Sequence, residues 1–173
     1  MSVDFEPLYR EHYPRVFGLC RKLLGESGEA QDAAQEVFMR AHKAIASYDR
    51  NLAFAPWVLS IASNYCIDLI RRRSRERMVF DDAETEIEAL EADAPSPPEM
   101  VADSERNDAL REAVAALPDR YRLPLVLAYY KDASYDEIAA ELDITRTHVG
   151  VLLLRAKKEL RRILAETTME VSS

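Results

Sequence analysis

The stretch Ser134-Tyr135-Asp136-Glu137-Ile138-Ala139-Ala140-Glu141-Leu142-Asp143-Ile144-Thr145-Arg146-Thr147-His148-Val149 decides the fold. Ser134 and Glu137 have the spacing of a capping box, in which the serine oxygen accepts an orphan N–H and the glutamate reaches back to the cap. A short helix over 135–142 follows. Asp143 and Ile144 then form a tight turn, and aspartate is among the few side chains that tolerate a positive φ there. Thr145 is placed as the N-cap of a second, long helix. Ala139 is small where two helices cross, Leu142 and Ile144 are apolar on either side of the turn, and Val149 anchors the second helix. This spacing predicts a helix-turn-helix, whose second helix delivers its first turn to the major groove of DNA.

A wheel at 100° per residue divides that last helix. Val149, Leu152, Leu153, Ala156, Leu160, Ile163 and Leu164 share the arc predicted to face the core. Arg155, Lys158, Arg161 and Arg162 fall opposite, with Thr147 and His148. The basic arc suits phosphates, and Arg146, Thr147 and His148 suit base edges. Val151 and Leu154 are apolar on the outward arc, placed for thymine methyls or for a protein partner. Gly150 inside the helix costs about 1 kcal/mol relative to alanine and admits close approach. The competing reading is an ordinary amphipathic helix with a solvated basic face.

Working outward, a helix over 108–117 is stopped by Pro118, and another opens near Tyr121 with Pro124 in its first turn. Towards the start of the chain, Phe5, Leu8, Tyr9, Tyr13, Val16, Phe17, Cys20, Leu23 and Leu24 keep to one helical face. Pro14 is expected to kink or divide that helix, and Gly25 to end it. A second helix covers about 29–47, a loop 47–55, and a third helix 56–73, with Pro56 in its first turn. No strand-like alternation and no internal repeat occur. The predicted class is all-α: a three- or four-helix bundle over 5–77 and a helix-turn-helix domain over 107–166, joined by a flexible acidic linker over 78–106.

Charge gives the linker its character. The 173-residue chain carries a net charge of −8, which taken alone opposes binding to nucleic acid. Residues 1–77 hold 12 basic and 10 acidic groups, residues 78–105 hold 10 acidic and no basic groups, and residues 106–173 hold 11 of each. The acidity therefore sits in one self-repelling segment, which also contains Ala94-Pro95-Ser96-Pro97-Pro98. Local patches elsewhere decide what approaches a polyanion. Read as an enzyme's acid–base or metal cluster, Asp81, Asp82, Glu84 and Glu86 lack an apolar pocket and a nearby histidine. His12, His42 and His148 have no ligand spacing, and Cys20 and Cys66 form no CxxC. The expectation is a protein with no catalytic residue, no metal and no cofactor, its thiols packed in the core. With no run of 18 apolar residues and no basic-apolar leader, it is expected to be cytoplasmic and not inserted in a membrane.

The third helix carries a second pattern. Trp57, Ile61, Asn64, Asp68 and Arg71 fall on one stripe, while Val58, Ala62, Tyr65, Cys66 and Leu69 form the other face. Rings and apolar wedges replace base stacking, amides read base edges, and Arg71, Arg72, Arg73, Arg75 and Arg77 are placed to hold phosphates. Equally, Trp57 and Ile61 could pack on a neighbouring helix, with Asp68 and Arg72 as an i,i+4 pair.

Two sets of motifs together resemble the extracytoplasmic-function (ECF) group of bacterial sigma factors. The first is Asp32-Ala33-Ala34-Gln35-Glu36-Val37-Phe38-Met39-Arg40-Ala41, then Phe54-Ala55-Pro56-Trp57 to Asn64, then Ile67-Asp68-Leu69-Ile70-Arg71-Arg72. The second is Leu117-Pro118-Asp119-Arg120-Tyr121-Arg122, then Ser134 to Ala139, then Leu153-Leu154-Arg155-Ala156-Lys157. The resemblance implies an alternative sigma factor that binds core RNA polymerase and directs promoter recognition, melting and initiation. It implies that Asp32, Gln35 and Glu36 meet the polymerase clamp, and that the second lobe rests on the flap. Trp57, Ile61, Asn64, Asp68, Arg71 and Arg72 are implied at the −10 element, and the 47–55 loop receives a flipped base there. Arg146, Thr147, His148, Val151, Arg155 and Lys158 are implied at the −35 element. The linker matches the stretch that threads toward the active-site cleft, and an anti-sigma factor is the implied regulator.

Ser60 and Ser63 stand where the family is often basic, which implies weaker −10 phosphate contacts. Val151 and Leu152 stand where serine and arginine are common, which implies an unusual −35 contact or an added protein contact. Two other functions compete with this one. A stand-alone helix-turn-helix repressor leaves Gln35, Glu36 and residues 57–64 idle. An anti-sigma or adaptor role leaves the basic face of the last helix unexplained.

Overall fold

Helix α1 (Phe5–Leu24) runs through Gly18 and ends at its next glycine: Gly25 has φ 80°, and its N–H donates to the Arg21 carbonyl at 2.8 Å. Pro14, expected to kink or divide this helix, does not divide it. It sits on the exposed side, where the carbonyl it cannot serve faces water, while Val16, Leu19, Cys20 and Leu23 hold the other side in the core. The computed structural model describes residues 4–25, 27–73 and 104–172. The linker features, Arg75 and Arg77 lie outside them.

Helix α2 (Ser27–Lys43) stops short of the expected end and passes into a 3₁₀ turn (Ile45–Ser47), in which the Ser47 hydroxyl donates to the Ala44 carbonyl at 2.7 Å. Helix α3 (Phe54–Arg73) starts two residues before Pro56, which still falls in the first turn. The three helices form one unit. Ala30, Ala33, Ala34 and Ala41 are buried on α2, and such small side chains let α1 and α3 approach its backbone closely. Val37, Val58, Leu59, Ala62 and Ile67 complete this core. Cys20 and Cys66 are buried free thiols. A hydrogen bond between them, together with burial, holds the Cys66 proton far above the usual thiol range. An aromatic seam runs alongside, with Phe5, Tyr9, Tyr13 and Phe17 from α1 gathered about Phe38 and Phe54.

The second unit contains α4 (Ser104–Ala116), α5 (Asp119–Tyr129), α6 (Tyr135–Leu142) and α7 (Arg146–Ser172). Helix α5 begins at Asp119, two residues before the expected start. Pro124 therefore lies in the second turn, where its apolar ring is buried. The Leu117 to Arg122 motif has a physical purpose. The Arg122 guanidinium is nearly covered, donates to the Leu117 carbonyl at 2.9 Å and pairs with Asp119, which fastens the end of α4 to the start of α5. A buried ion pair between Lys131 and Glu141 likewise ties the α5–α6 connection to α6.

The helix-turn-helix follows its local signals closely. The Glu137 N–H donates to Ser134 Oγ at 3.1 Å, and the serine hydroxyl meets the Glu137 carboxylate at 3.3 Å. Asp143 takes φ 57° and ψ 49°. Thr145 Oγ1 accepts the His148 N–H at 3.1 Å. No strand occurs among the described residues. Asp143→Val is expected to lower the stability of this unit by about 1–2 kcal/mol, and Asp143→Gly to preserve or raise it, as read from urea unfolding midpoints. A Cβ at Gly150 meets only Tyr135 Cε2, at an ordinary 3.7 Å. Gly150→Ala is therefore expected to gain up to about 1 kcal/mol in the same titration.

Candidate nucleic-acid interface

Helix α3 presents the predicted stripe outward. Asn64, Asp68, Arg71 and Arg72 are exposed, while Trp57 and Ile61 are half-buried. Trp57 is partly covered by neighbouring rings. It packs on Tyr48 and Phe54, with centroids 5.1 and 5.5 Å away, and keeps a solvent-facing edge. Arg73 does not join the stripe, because it pairs with Glu29 of α2 at 2.9 Å. Ser63 is fully buried and donates to the Ser60 carbonyl at 3.2 Å. It is an interior position, so its lack of charge says nothing about phosphate contacts.

The connection before α3 is an ordered turn. The Asn51 N–H donates to Asp49 Oδ1 at 2.9 Å, the Leu52 N–H to the Asp49 carbonyl at 3.0 Å, and the Tyr48 hydroxyl to the Leu52 carbonyl. Leu52 is 64% exposed. Its internal order is more than the spacing of a loop predicts; Tyr48, an aromatic residue at its start, is the sequence signal for it.

On α2, Asp32 and Gln35 are exposed, and the half-buried Glu36 pairs with Arg40 at 3.2 Å. The Arg40 guanidinium lies 4.7 Å from the centre of the Tyr65 ring, which joins this surface to α3. Met39, 55% exposed, continues the 32–35–36 row by helical spacing and was not singled out from the sequence.

The second unit brings only part of its predicted set to the surface. Arg146, Thr147 and Lys158 are exposed, and Arg155 is half-buried. Arg146 pairs with Asp136 at 3.2 Å across the start of the helix-turn-helix. His148 and Val151 are buried, at 3% and 4% exposure, and cannot read base edges where they stand. Leu152 is buried too, as the wheel predicts, and Leu154 is half-buried. The wheel failed at His148 and Val151 because α4, α5 and α6 all pack against α7, so its buried surface exceeds one arc. Arg162 is held by Glu159 and Glu166, which keep its proton bound, and its guanidinium in turn holds the Glu159 carboxyl below the usual carboxylate range. Lys157 is buried against the Tyr129 ring, its ammonium 5.2 Å from the ring centre; burial, and then the Arg161 charge, lower its pKa. Among the described residues, no group of three or more His, Cys, Asp or Glu is placed for a metal ion. No described helix is long and apolar enough to cross a membrane.

This architecture is that of a two-part Sigma-70 protein. The Sigma-70 region 2 family matches residues 8–76 and the Sigma-70 region 4 family residues 107–160. The chain belongs to the ECF family of RNA polymerase sigma factors. It is 32% identical over 170 residues to the ECF RNA polymerase sigma factor SigW of Bacillus subtilis, covering 94% of this chain and 88% of that protein. It is 30% identical over 169 residues to the ECF RNA polymerase sigma factor SigE of Mycolicibacterium smegmatis, covering 98% of this chain and 65% of that longer protein. The Bartonella quintana sigma factor RpoE, solved in complex with the anti-sigma factor NepR, shares the fold with a TM-score of 0.63 at 22% identity. That match covers 94% of this chain and 97% of RpoE. The chain is thus an alternative sigma factor that directs transcription initiation; the repressor and adaptor readings gain no support.

Val151→Ala is expected to destabilise the second unit by about 1–2 kcal/mol through the cavity it leaves. Thr147→Ala and Lys158→Ala are expected to stay within about 0.5 kcal/mol of the parent. Thermal unfolding separates the two groups, and promoter binding by the holoenzyme should weaken only in the second.

Proposed function

We propose that the two units divide promoter recognition and meet DNA only when core polymerase presents them together. The α2 row of Asp32, Gln35 and Glu36 docks on the clamp. The α3 stripe of Trp57, Ile61, Asn64, Asp68, Arg71 and Arg72 takes the opened −10 strand. Arg146, Thr147, Arg155 and Lys158 take the −35 duplex, and the second unit rests on the flap. The observation that carries this reading is the half-buried Trp57 followed by exposed Asn64, Asp68, Arg71 and Arg72 on one helix. It offers a ring for stacking, an amide for a base edge and cations for phosphates.

Several exposed cations of each unit already answer an acidic partner, so each unit binds DNA weakly alone. Tethering by polymerase raises the effective concentration of one at its element once the other is engaged. Captured, unstacked bases offset the few kcal/mol that opening each step costs. The factor supplies binding energy and performs no bond chemistry, acting in the cytoplasm. The partner of the solved relative, an anti-sigma factor, is the class of protein we assign as regulator of this chain.

Core polymerase supplied with this protein alone is expected to start transcripts at a restricted set of promoters from a genomic library, whereas the free protein leaves duplex promoter DNA unshifted. Failure to initiate anywhere in that library overturns the reading. Asn64→Ala is expected to cost about 1–3 kcal/mol in opening, the value of one lost base-edge contact, and to leave closed-complex formation unchanged. Potassium permanganate reactivity and footprinting measure the two steps separately.

A further inference from the structure

Tyr48 makes contacts that neither folding nor the α3 stripe by itself calls for. Its backbone N–H closes the 3₁₀ turn on the Ile45 carbonyl at 3.1 Å. Its ring stands edge-on to Phe54, with centroids 5.5 Å apart, and tilted against Trp57 at 5.1 Å. Phe54 is itself buried and packs on His12 and Phe5 of α1. The Tyr48 ring is therefore braced against the core, and its hydroxyl reaches across the turn to the Leu52 carbonyl. Arg50, Asn51 and Leu52 at the tip are all exposed. An exposed leucine on a hydrogen-bonded tip gains nothing from burial within its own chain. A mobile tip must also be ordered before it grips a ligand, at an entropic cost for every residue fixed.

We propose that Tyr48 is a positioning residue, whose hydroxyl clasps the Leu52 carbonyl so that Asn51 and Leu52 are preformed to discriminate an unpaired −10 base. The proposal rests on the reading of α3 as the −10 surface and of the adjoining 47–55 loop as the receiver of a flipped base, and adds the part that Tyr48 plays in them. One side chain touches both the tip and Trp57, so the discriminating tip and the stacking ring share a common brace. Asn51 offers amide donors and an acceptor to a base edge, and Leu52 offers an apolar wall to its face.

Tyr48→Phe keeps the ring contacts and removes only the clasp. The test uses holoenzyme on a promoter recovered from the genomic library and on versions with single-base changes in the −10 element. It compares transcript ratios for the parent, Tyr48→Phe, Asn51→Ala, Leu52→Ala and Asn64→Ala. Tyr48→Phe and the two tip variants are expected to reduce discrimination at one −10 position roughly fivefold or more, the equilibrium equivalent of losing the order of about one residue. Polymerase affinity, unfolding temperature and dependence on the −35 element should stay at parent values, which a merely structural role would not predict. If the tip variants lose discrimination and Tyr48→Phe keeps it, the clasp is idle and the proposal falls. Loss in Tyr48→Phe alone makes Tyr48 a direct contact and overturns the positioning role. If none of these three changes the ratio while Asn64→Ala still slows opening, the tip is not the reader and the proposal fails with the α3 reading intact. An Asn64→Ala holoenzyme that also opens like the parent removes the −10 reading itself.

Discussion

A helix has one circumference, and α3 must spend it twice. Val58, Leu59, Ala62, Cys66, Ile67 and Ile70 close the core of the first unit. Only the remaining arc can meet a ligand. The division leaves no room for a soft interior: a shift of α3 that repacks the core also turns Asn64 and Arg71 away from any strand they grip. The alanines of α2 and the paired thiols of Cys20 and Cys66 serve this constraint by letting the helices close tightly. The ion pair between Arg73 and Glu29 pins the far end of α3 to the start of α2. Tyr48, Phe54 and Trp57 brace the near end. An anchored rod between these two braces is a sound support for a recognition surface, because side chains on a rigid element keep their relative geometry.

Helix α7 faces the opposite difficulty. Three helices pack on it, so its buried surface wraps further round than a two-sided wheel allows. His148 and Val151 are lost to the interior as a result, and Lys157 is carried inward, where the Tyr129 ring softens its burial. Of the residues expected at the −35 element, those that stay fully outside are Arg146 and Thr147 in the first turn and Lys158 farther along. Recognition by the first turn suits a helix-turn-helix, because only that end of the second helix has to enter the groove.

The contrast between local and distant causes explains what could be read from the residues beforehand. The Ser134 cap, the left-handed Asp143 and the Thr145 cap each depend on atoms within about four positions, and they stand where the sequence placed them. The all-α class and the outward row from Asn64 to Arg72 were equally legible, because helical spacing alone sorts them. The misplacements have distant causes. Arg73 meets Glu29 across 44 positions. His148 and Val151 are covered by the packing of other helices. Pro14 and Pro124 remain inside helices because tertiary burial outweighs the single hydrogen bond each forfeits. The clasp from Tyr48 to Leu52 is short in sequence yet depends on a ring held in place by Phe54 and Trp57 of α3.

The pairing of charges completes the physical case for a divided reader. Arg40, Arg73, Arg146 and Arg162 each already answer an acidic neighbour. A cation held in such a pair contributes less to the attraction of a phosphate, because approaching DNA must first compete with the carboxylate. Counting arginines therefore overstates the grip of either unit on a duplex. Weak grip is an advantage for a factor that must leave free DNA alone and still settle on a promoter under polymerase. Under the proposed division, affinity resides in the tether, and each unit is left to decide which element it accepts. The surface pairs are weak enough, at roughly 0–1 kcal/mol each, to open when a promoter phosphate arrives. The buried pair of Lys131 and Glu141 is not of that kind: it is shielded from solvent and fixes the helix-turn-helix frame that the exposed pairs only decorate.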